Sequence, residues 1–227
     1  MKKNAVIVAG GSGTRMGGGI PKQFRSLCGH PVLWWSMKAF HDEDPGVNLI
    51  LVLPEEFVSL WKDFFSNLPQ EESFPHIIVT GGKSRSESVR NGLSAIEDDD
   101  SLVAVHDGAR PLVNKETIAS GWAFASENGA SIPVIPVTDS LRIISDEVLS
   151  KSVNREDYRV VQTPQVFKTS LLKEAYIKAG SVSFSDDATV VENMGHNISL
   201  FPGQPDNIKI TNPKDLAIAT VLMGNDA

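Results

Sequence analysis

The sequence predicts an α/β fold, in which helices flank an open, twisted and mostly parallel sheet. Short apolar runs rich in Val and Ile alternate with longer segments whose apolar residues recur three or four positions apart. Helices with that spacing can cover one face of a sheet as crossovers between parallel strands. A glycine-rich loop follows the first run, at the edge where such sheets bind ligands. We therefore expect a Rossmann-like architecture.

Four apolar runs are predicted to form the centre of the sheet. In chain order they are "NAVIVA" (4–9), "NLILVL" (48–53), "HIIVTG" (76–81) and "LVAVHD" (102–107). Each is short and almost continuously apolar, which is typical of parallel strands that are buried on both faces.

Three helices are predicted between these strands. They are "HPVLWWSMKAF" (30–40), "EEFVSLWKDFFSNL" (55–68) and "SRSESVRNGLSAI" (84–96). The adjacent Trp34 and Trp35 could stack on a base, but their helical setting favours packing in the core.

The alternation changes after "ASIPVIPV" (130–137). The runs "LRIIS" (141–145) and "VLSKSV" (148–153) surround the turn-like "DE" and predict a projecting β-hairpin arm at about 138–158. Because an isolated two-stranded hairpin is only marginally stable in water, the arm needs a partner surface. The sequence therefore predicts a homodimer formed through the arm.

The remainder of the chain returns to alternating elements. We predict a strand in "YRVVQTPQVF", helices at 168–180, 186–195 and 212–224, and strands in "NISLFPG" (197–203) and "NIKI" (207–210). No repeat, low-complexity tract or linker interrupts the chain, so residues 1–227 are predicted to form one domain.

Composition restricts the partners. Twenty-one basic and 28 acidic residues give a net charge of −7, which argues against nucleic acid as a partner. No run approaches the roughly 18 apolar residues of a membrane span. The single cysteine, Cys28, excludes an intramolecular disulfide and favours a cytoplasmic location. We expect Cys28 to be buried and inert.

The glycine-rich loop predicts a phosphate site. "GGSGTRMGGGIPKQF" (10–24) has six glycines, the cations Arg15 and Lys22, and no acidic residue. Glycines let main-chain N–H groups approach a ligand closely, and two cations suit a triphosphate. Its spacing matches neither the dinucleotide pattern G-x-G-x-x-G nor the Walker A loop, since Met16 and Gln23 stand at required positions.

Eight motifs in order carry a family resemblance. They are "AGGSGTRMGGGIPKQF", "GGKSRSESVRNGL", "VHDGARP", "PVTDSL", "VNRE", "TPQVF", "SDDA" and "DNIKIT". The chain resembles the nucleotidyltransferases of the nucleotide-diphospho-sugar transferase type, and among them the 2-C-methyl-D-erythritol 4-phosphate cytidylyltransferase family of the non-mevalonate isoprenoid pathway. The resemblance implies that a phosphate oxygen of methylerythritol phosphate attacks the α-phosphorus of CTP and expels pyrophosphate.

The resemblance also implies roles for individual residues. Arg15 and Lys22 hold the triphosphate, while Arg155 and Lys209 position the methylerythritol phosphate; these four are the expected catalytic residues. It leaves open whether Arg155 serves its own subunit or its partner. The expected CTP-binding residues are Ala9, Gly10, Gly11, Gly13, Gly82, Ser88 and Asp107. The expected neighbours of the polyol phosphate are Arg110, Ser140, Thr163, Ser185 and Asp186.

Asp107 is the expected ligand of Mg²⁺ or another divalent cation, because it ends a strand and Mg²⁺ needs only one or two carboxylates beside substrate phosphates. The alternative is that Asp107 caps a helix. His106 is expected to be a packed residue, and Arg85 to brace its loop. Lys83 stands where the family often has aspartate, which weakens any role there for a carboxylate in reading the base or ribose.

Two other functions remain open at this point. Ribitol 5-phosphate cytidylyltransferases share the first loop, "PKQF" and "TPQ" with this chain. The second alternative is a non-catalytic nucleotide-binding homologue, although such a protein should have lost some of the phosphate-binding cations or the acidic metal ligand, and Arg15, Lys22, Asp107, Arg155 and Lys209 are all present.

Overall fold

The computed structural model describes residues 1–10, 21–146, 148–180, 182 and 184–224. The strands are β1 Lys2–Val8, β2 Ser26–Leu27, β3 His30–Pro31, β4 Asn48–Leu53, β5 Ile77–Thr80, β6 Ser101–Asp107, β7 Ala130–Pro136, β8 Arg142–Ile144, β9 Ser150–Ser152, β10 Arg159–Val161, β11 Gln165–Lys168 and β12 Ser199–Pro202. The helices are α1 Val32–Glu43, α2 Val58–Ser66, α3 Arg85–Ser94, α4 Lys115–Asn128, α5 Thr169–Ala179, α6 Asp187–Glu192 and α7 Pro213–Gly224.

Eight of these strands form one sheet. Its order is β10-β7-β11-β6-β1-β4-β5, and β12 also pairs with β7. The pairs β6-β1, β1-β4, β4-β5 and β7-β12 are parallel, whereas β10 and β11 run antiparallel to their neighbours. The predicted α/β class with a mostly parallel sheet is confirmed.

Helices cover both faces of this sheet, which explains the nearly continuous apolar runs. In β1, Ala5 and Ile7 pack on one face with α1, while Val6 and Val8 pack on the other face. Trp34 is fully buried in the first of these clusters, as its helical setting predicts. Within the described residues, no helix combines the length and apolar character that a membrane crossing requires.

The predicted hairpin is present as a separate two-stranded sheet. Strand β8 pairs antiparallel with β9, with Arg142 opposite Ser152. Its apolar side chains point away from the core: Ile144 is 75% exposed and Val148 is 89% exposed. The hairpin therefore carries an apolar surface that the other described residues leave exposed.

Two expectations from the sequence are wrong. "NIKI" forms no strand, because Ile210 N–H donates to the single carbonyl of Ala109 and no ladder of pairs develops. Cys28 is exposed, not buried. It forms with Gly29 the two-residue turn between β2 and β3, both at positive φ (46° and 91°), and a side chain at the tip of such a turn cannot reach the core.

Candidate functional site

A cavity of about 500 Å³ opens at the carboxyl ends of the central strands. Val8, which ends β1, is paired with Asp107, which ends β6. The cavity is lined by Val8, Ala9, Gly10, Lys22, Gln23, Gly82, Lys83, Ser84, Arg85, Ser88, Asp107, Ala109, Lys209 and Thr211. Among these described residues four side chains are cationic and one is a carboxylate, so the lining favours a polyanion.

Asp107 lies at the centre of the charged groups. Lys209 Nζ lies 2.7 Å from Asp107 Oδ2, Arg85 Nε lies 3.5 Å from Oδ1, and Arg110 Nε lies 3.9 Å from Oδ2. Burial alone would raise the pKa of the Asp107 carboxyl, but the positive charges of Arg85 and Lys209 outweigh it and hold that pKa well below its ordinary value. Asp107 is therefore a carboxylate at neutral pH.

Arg85 is held by a second acid that sequence reasoning missed. Its Nη2 donates to Asp187 Oδ2 at 2.7 Å, and the hydroxyl of Tyr176 donates to Asp187 Oδ1 at 2.5 Å. Asp187 is fully buried. Burial opposes the charge on Arg85, yet the carboxylates of Asp187 and Asp107 raise the pKa of its guanidinium above the ordinary value. Arg85 is expected to brace its own loop; its contacts instead join the start of α3 to Asp187 and Asp107.

The start of α3 supplies main-chain groups to the cavity. Ser84 caps the helix by accepting from Glu87 N–H, and Ser88 Oγ accepts from Gly82 N–H at 3.1 Å. A Cβ at Gly82 would lie 2.2 Å from Glu87 Cγ, so no larger residue fits without a shift. Since a helix N-terminus carries partial positive charge, this end of α3 favours an anion.

The end of β1 brings the first loop to the cavity. Ala9 N–H donates to Val52 O at 3.0 Å, and Gln23 Nε2 donates to Ala9 O at 2.9 Å. Gln23 thereby anchors the turn that contains Lys22, and both residues line the cavity. Three predicted residues, Gly11, Gly13 and Arg15, lie outside the described residues.

Thr163 and His106 hold the main chain of Asp107 in place through hydrogen bonds. Thr163 Oγ1 accepts from Asp107 N–H at 3.1 Å and lies 3.1 Å from His106 Nδ1, while His106 Nε2 lies 3.1 Å from Arg110 O. The packed role expected for His106 is therefore what the structure contains. Asp107 caps no helix, since the helix that follows, α4, is capped by Asn114.

Several predicted residues lie away from the cavity. Arg155 Nη1 donates to Thr138 O at the base of the hairpin, and Ser140 is exposed in the same region. Asp186 caps α6 by accepting from Thr189 N–H, and it also accepts from Gln165 Nε2. Ser185 is exposed beside it. None of these four is among the lining residues in the part of the chain that the structure describes.

Comparisons with known proteins identify the family. The family profile described as IspD, 2-C-methyl-D-erythritol 4-phosphate cytidylyltransferase, matches residues 4–225. The chain belongs to this family. The cytidylyltransferase of that name from Phocaeicola vulgatus is 45% identical over 223 residues, which is 98% of this chain and 100% of the relative.

Solved structures agree with the family assignment. The 2-C-methyl-D-erythritol 4-phosphate cytidylyltransferase from Thermus thermophilus is 33% identical, with a TM-score of 0.77 over 98% of both chains. The 4-diphosphocytidyl-2C-methyl-D-erythritol synthase from Anaerococcus prevotii is 26% identical, with a TM-score of 0.84 over 98% of both chains. The chain is thus a nucleotidyltransferase of the cytidylyltransferase family.

The donor set suits a divalent cation that arrives with phosphates. Within the described residues, no three His, Cys, Asp or Glu side chains converge into a metal site. Asp107 provides one ionised carboxylate at the cavity, and Mg²⁺ is usually held by one or two carboxylates together with substrate phosphates and water. Asp107 is therefore suited to a divalent cation whose other ligands come from the nucleotide.

Acidification is expected to weaken the fold through His106. Burial lowers the pKa of this imidazole to about 4 from an ordinary 6.5, partly offset by its bond to Arg110 O. The unfolded chain therefore binds this proton more tightly than the folded chain does. The contribution of His106 to the free energy of unfolding is fully present above pH 6.5 and is lost as the pH drops towards 4, by up to about 3 kcal/mol.

Urea unfolding between pH 7 and 4 checks this expectation. His106→Gln should flatten the loss of unfolding free energy in that window, whereas His196→Gln, at an exposed histidine, should keep the wild-type slope. Equal slopes in wild type and His106→Gln would contradict a buried neutral imidazole.

Proposed function

We propose that this chain joins CTP and 2-C-methyl-D-erythritol 4-phosphate, giving 4-diphosphocytidyl-2-C-methyl-D-erythritol and pyrophosphate in isoprenoid precursor synthesis. One observation carries the proposal. A cavity at the carboxyl ends of β1 and β6 is lined by four cationic side chains, and Asp107 is the one carboxylate among its described lining residues; the cations are Lys22, Lys83, Arg85 and Lys209. Two phosphorylated reactants repel one another, and a cavity with this charge offsets that repulsion.

In the proposed reaction, a phosphate oxygen of the polyol phosphate forms a bond to the α-phosphorus of CTP. The bond from that phosphorus to the oxygen bridging to the β-phosphate breaks, and pyrophosphate leaves with the electron pair. An ionised phosphate is already a nucleophile, so no side chain needs to remove a proton. Catalysis then rests on positioning and on stabilising the charge that develops.

The cationic residues divide this work by location. Lys22, on the first loop, and Arg15 in the same sequence motif are proposed to hold the triphosphate. Lys209, which lies beside Asp107, is proposed to hold the polyol phosphate next to the α-phosphate. Mg²⁺, held by Asp107 and the nucleotide, would neutralise phosphate charge. The N-terminus of α3 adds main-chain N–H groups to the lining of the cavity.

Base recognition is proposed to use main-chain groups of small residues. Gly10, Gly82 and Ser88 line the cavity, and their small side chains leave peptide groups accessible to a base edge. Ser88 keeps Gly82 N–H in place through its hydroxyl. Lys83 also lines the cavity. It places a positive charge at a position where many relatives are expected to have a negative charge.

We further propose that the hairpin forms a homodimer and that the chain is cytoplasmic, as the single cysteine predicts. Exposed apolar side chains at Ile143, Ile144, Val148 and Leu149 support the dimer. Arg155 follows the hairpin and lies outside the cavity of its own chain. A second chain could bring Arg155 to the partner's cavity, which would make the assembled dimer the active form.

Charging the hairpin is expected to dissociate the dimer. Ile144→Asp places a carboxylate on a side chain that is 75% exposed in one chain, so folding of the monomer should be unaffected while burial against a partner becomes costly. Sedimentation at micromolar concentration should show a monomer for this variant and a dimer for wild type. Ile177→Asp, at an exposed apolar residue on α5, serves as the control and should remain dimeric. A dimer in both variants would place the interface elsewhere.

Release of pyrophosphate tests the proposed function. Purified protein with Mg²⁺ is given CTP, UTP, ATP or GTP, each with methylerythritol phosphate or ribitol 5-phosphate. We expect turnover with CTP and methylerythritol phosphate. Turnover only with ribitol phosphate would assign the alternative substrate, and no turnover in folded protein would favour the non-catalytic homologue.

A further inference from the structure

The segment that carries Lys209 has no regular secondary structure. Residues 203–212 lie between β12 and α7, outside the strands and helices. Lys209 nonetheless lies 2.7 Å from Asp107 although its side chain is 42% exposed. A half-exposed lysine on an irregular segment would otherwise sample many rotamers, so other contacts must fix the main chain beneath it.

Asn207 supplies these contacts and is fully buried. Its Nδ2 donates to Thr163 O at 2.9 Å, its N–H donates to Gln204 O at 3.0 Å, and its carbonyl accepts from Arg110 Nη1 at 2.6 Å. Gln162 Nε2 lies 3.4 Å from the same carbonyl. The bond to Thr163 O depends on the asparagine side chain, whereas the contacts to Gln204, Arg110 and Gln162 use the main chain of residue 207.

Two partners of Asn207, Thr163 and Arg110, also contact Asp107. Thr163 Oγ1 accepts from Asp107 N–H, and Arg110 lies beside the Asp107 carboxylate. On the other side of Lys209, Ile210 N–H donates to Ala109 O at 2.8 Å. The chain is therefore anchored two residues before and one residue after Lys209, first to Thr163, which contacts Asp107, and then to Ala109, which lies two residues after Asp107.

We propose that Asn207 is a positioning residue that holds Lys209 against Asp107 and so sets where the polyol phosphate binds; this rests on the proposed function. Asn207 is not among the described residues that line the cavity, so we assign its effect on the reaction to the placement of Lys209. Because a misplacement of about 1 Å can cost about 10²-fold in rate, losing this anchor affects catalysis beyond its effect on stability.

A double-mutant cycle tests this role. Asn207→Ala is expected to lower kcat/KM for methylerythritol phosphate by about 10- to 100-fold. In a Lys209→Ala background, the same change should have less than about a threefold effect, because the residue through which Asn207 acts is gone. Multiplying effects in the double variant would overturn the proposal.

Asn4→Ala is the matched control for a purely structural role. Asn4 is also a buried asparagine whose Nδ2 donates to a main-chain carbonyl, that of Leu102 at 3.1 Å, but it lies near the amino end of β1, away from the cavity. Asn4→Ala should stay within about threefold of wild type in kcat/KM at temperatures where both variants are folded. A loss equal to that of Asn207→Ala would overturn the proposal.

Two additions keep the test decisive. Asn207→Ser, which is smaller but polar, replaces Asn207→Ala if the latter does not fold. The same cycle is measured on the Kd for inorganic phosphate by calorimetry, which needs no turnover. Coupling in phosphate binding without turnover in wild type would reject the proposed function and keep the role of Asn207; turnover without coupling in either measurement would do the reverse.

Discussion

Lys209→Ala is expected to lower kcat/KM for methylerythritol phosphate by about 10²- to 10³-fold, the usual consequence of removing one preorganised contact to a developing charge. The ammonium group lies at the cavity, 2.7 Å from Asp107, and is nearer to that carboxylate than Arg85 or Arg110. Folding should be unaffected, because Arg85 and Arg110 still neutralise Asp107. Steady-state kinetics and a urea unfolding curve measure the two quantities.

Lys214→Ala is the control for Lys209→Ala. Lys214 is exposed at the start of α7 and outside the cavity, so this variant should keep the wild-type kcat/KM. Lys209→Arg should recover part of the activity, since it restores the charge but changes its geometry. Full activity of Lys209→Ala would remove this wall of the cavity from the mechanism.

Asp187→Ala is expected to cost about 3 kcal/mol in unfolding free energy or more, because it removes one partner of a buried ion pair. The Arg85 guanidinium would lose its 2.7 Å acceptor, and the buried hydroxyl of Tyr176 would lose its 2.5 Å acceptor. Burial and the Asp187 charge both raise the pKa of Tyr176, so the hydroxyl stays protonated and needs an acceptor.

Two other aspartates provide the comparison for Asp187→Ala. Asp186→Ala removes the N-cap of α6 and should cost about 1 kcal/mol. Asp100→Ala, at an exposed residue, should stay within about 0.5 kcal/mol of wild type. Asp187→Asn keeps one acceptor oxygen, for either Arg85 or Tyr176, and should fall between these extremes. Urea unfolding of all four variants is the measurement, and equal values for Asp187→Ala and Asp100→Ala would rule out a supporting ion pair.

The central strands could be predicted because burial on both faces leaves a clear pattern. "NLILVL" was expected at 48–53, and β4 occupies those residues. Periodicity failed for "NIKI", where Asn207 and Ile210 are buried by contacts from other parts of the chain. An apolar and polar alternation of four residues does not distinguish a strand from an irregular segment that is anchored at two points.

The candidate site was predictable where residues stand at or just after the end of a strand, as Asp107 and Gly82 do, but not where partners come from distant chain segments. The pairing of Arg85 with Asp187 spans 102 residues, and only the adjacent acids in "SDDA" pointed to that region. The expectation chose Asp186, which caps a helix, over its neighbour. Arg155 and Ser140 lie beside the hairpin and outside the cavity; in the proposed dimer their role depends on how two chains meet, which a single sequence does not determine.

The cavity lies at the carboxyl ends of β1 and β6, so the local opening of these two strands determines how mobile its base is. These two strands are paired over seven positions, from Lys2 opposite Ser101 to Val8 opposite Asp107, in the interior of the sheet. Amide protons there should exchange with solvent only when the whole domain opens, whereas those of the isolated β8-β9 hairpin can exchange through local opening. If the proposed dimer forms through the hairpin, deuterium uptake at β8 and β9 would report its assembly separately from changes in β1 and β6.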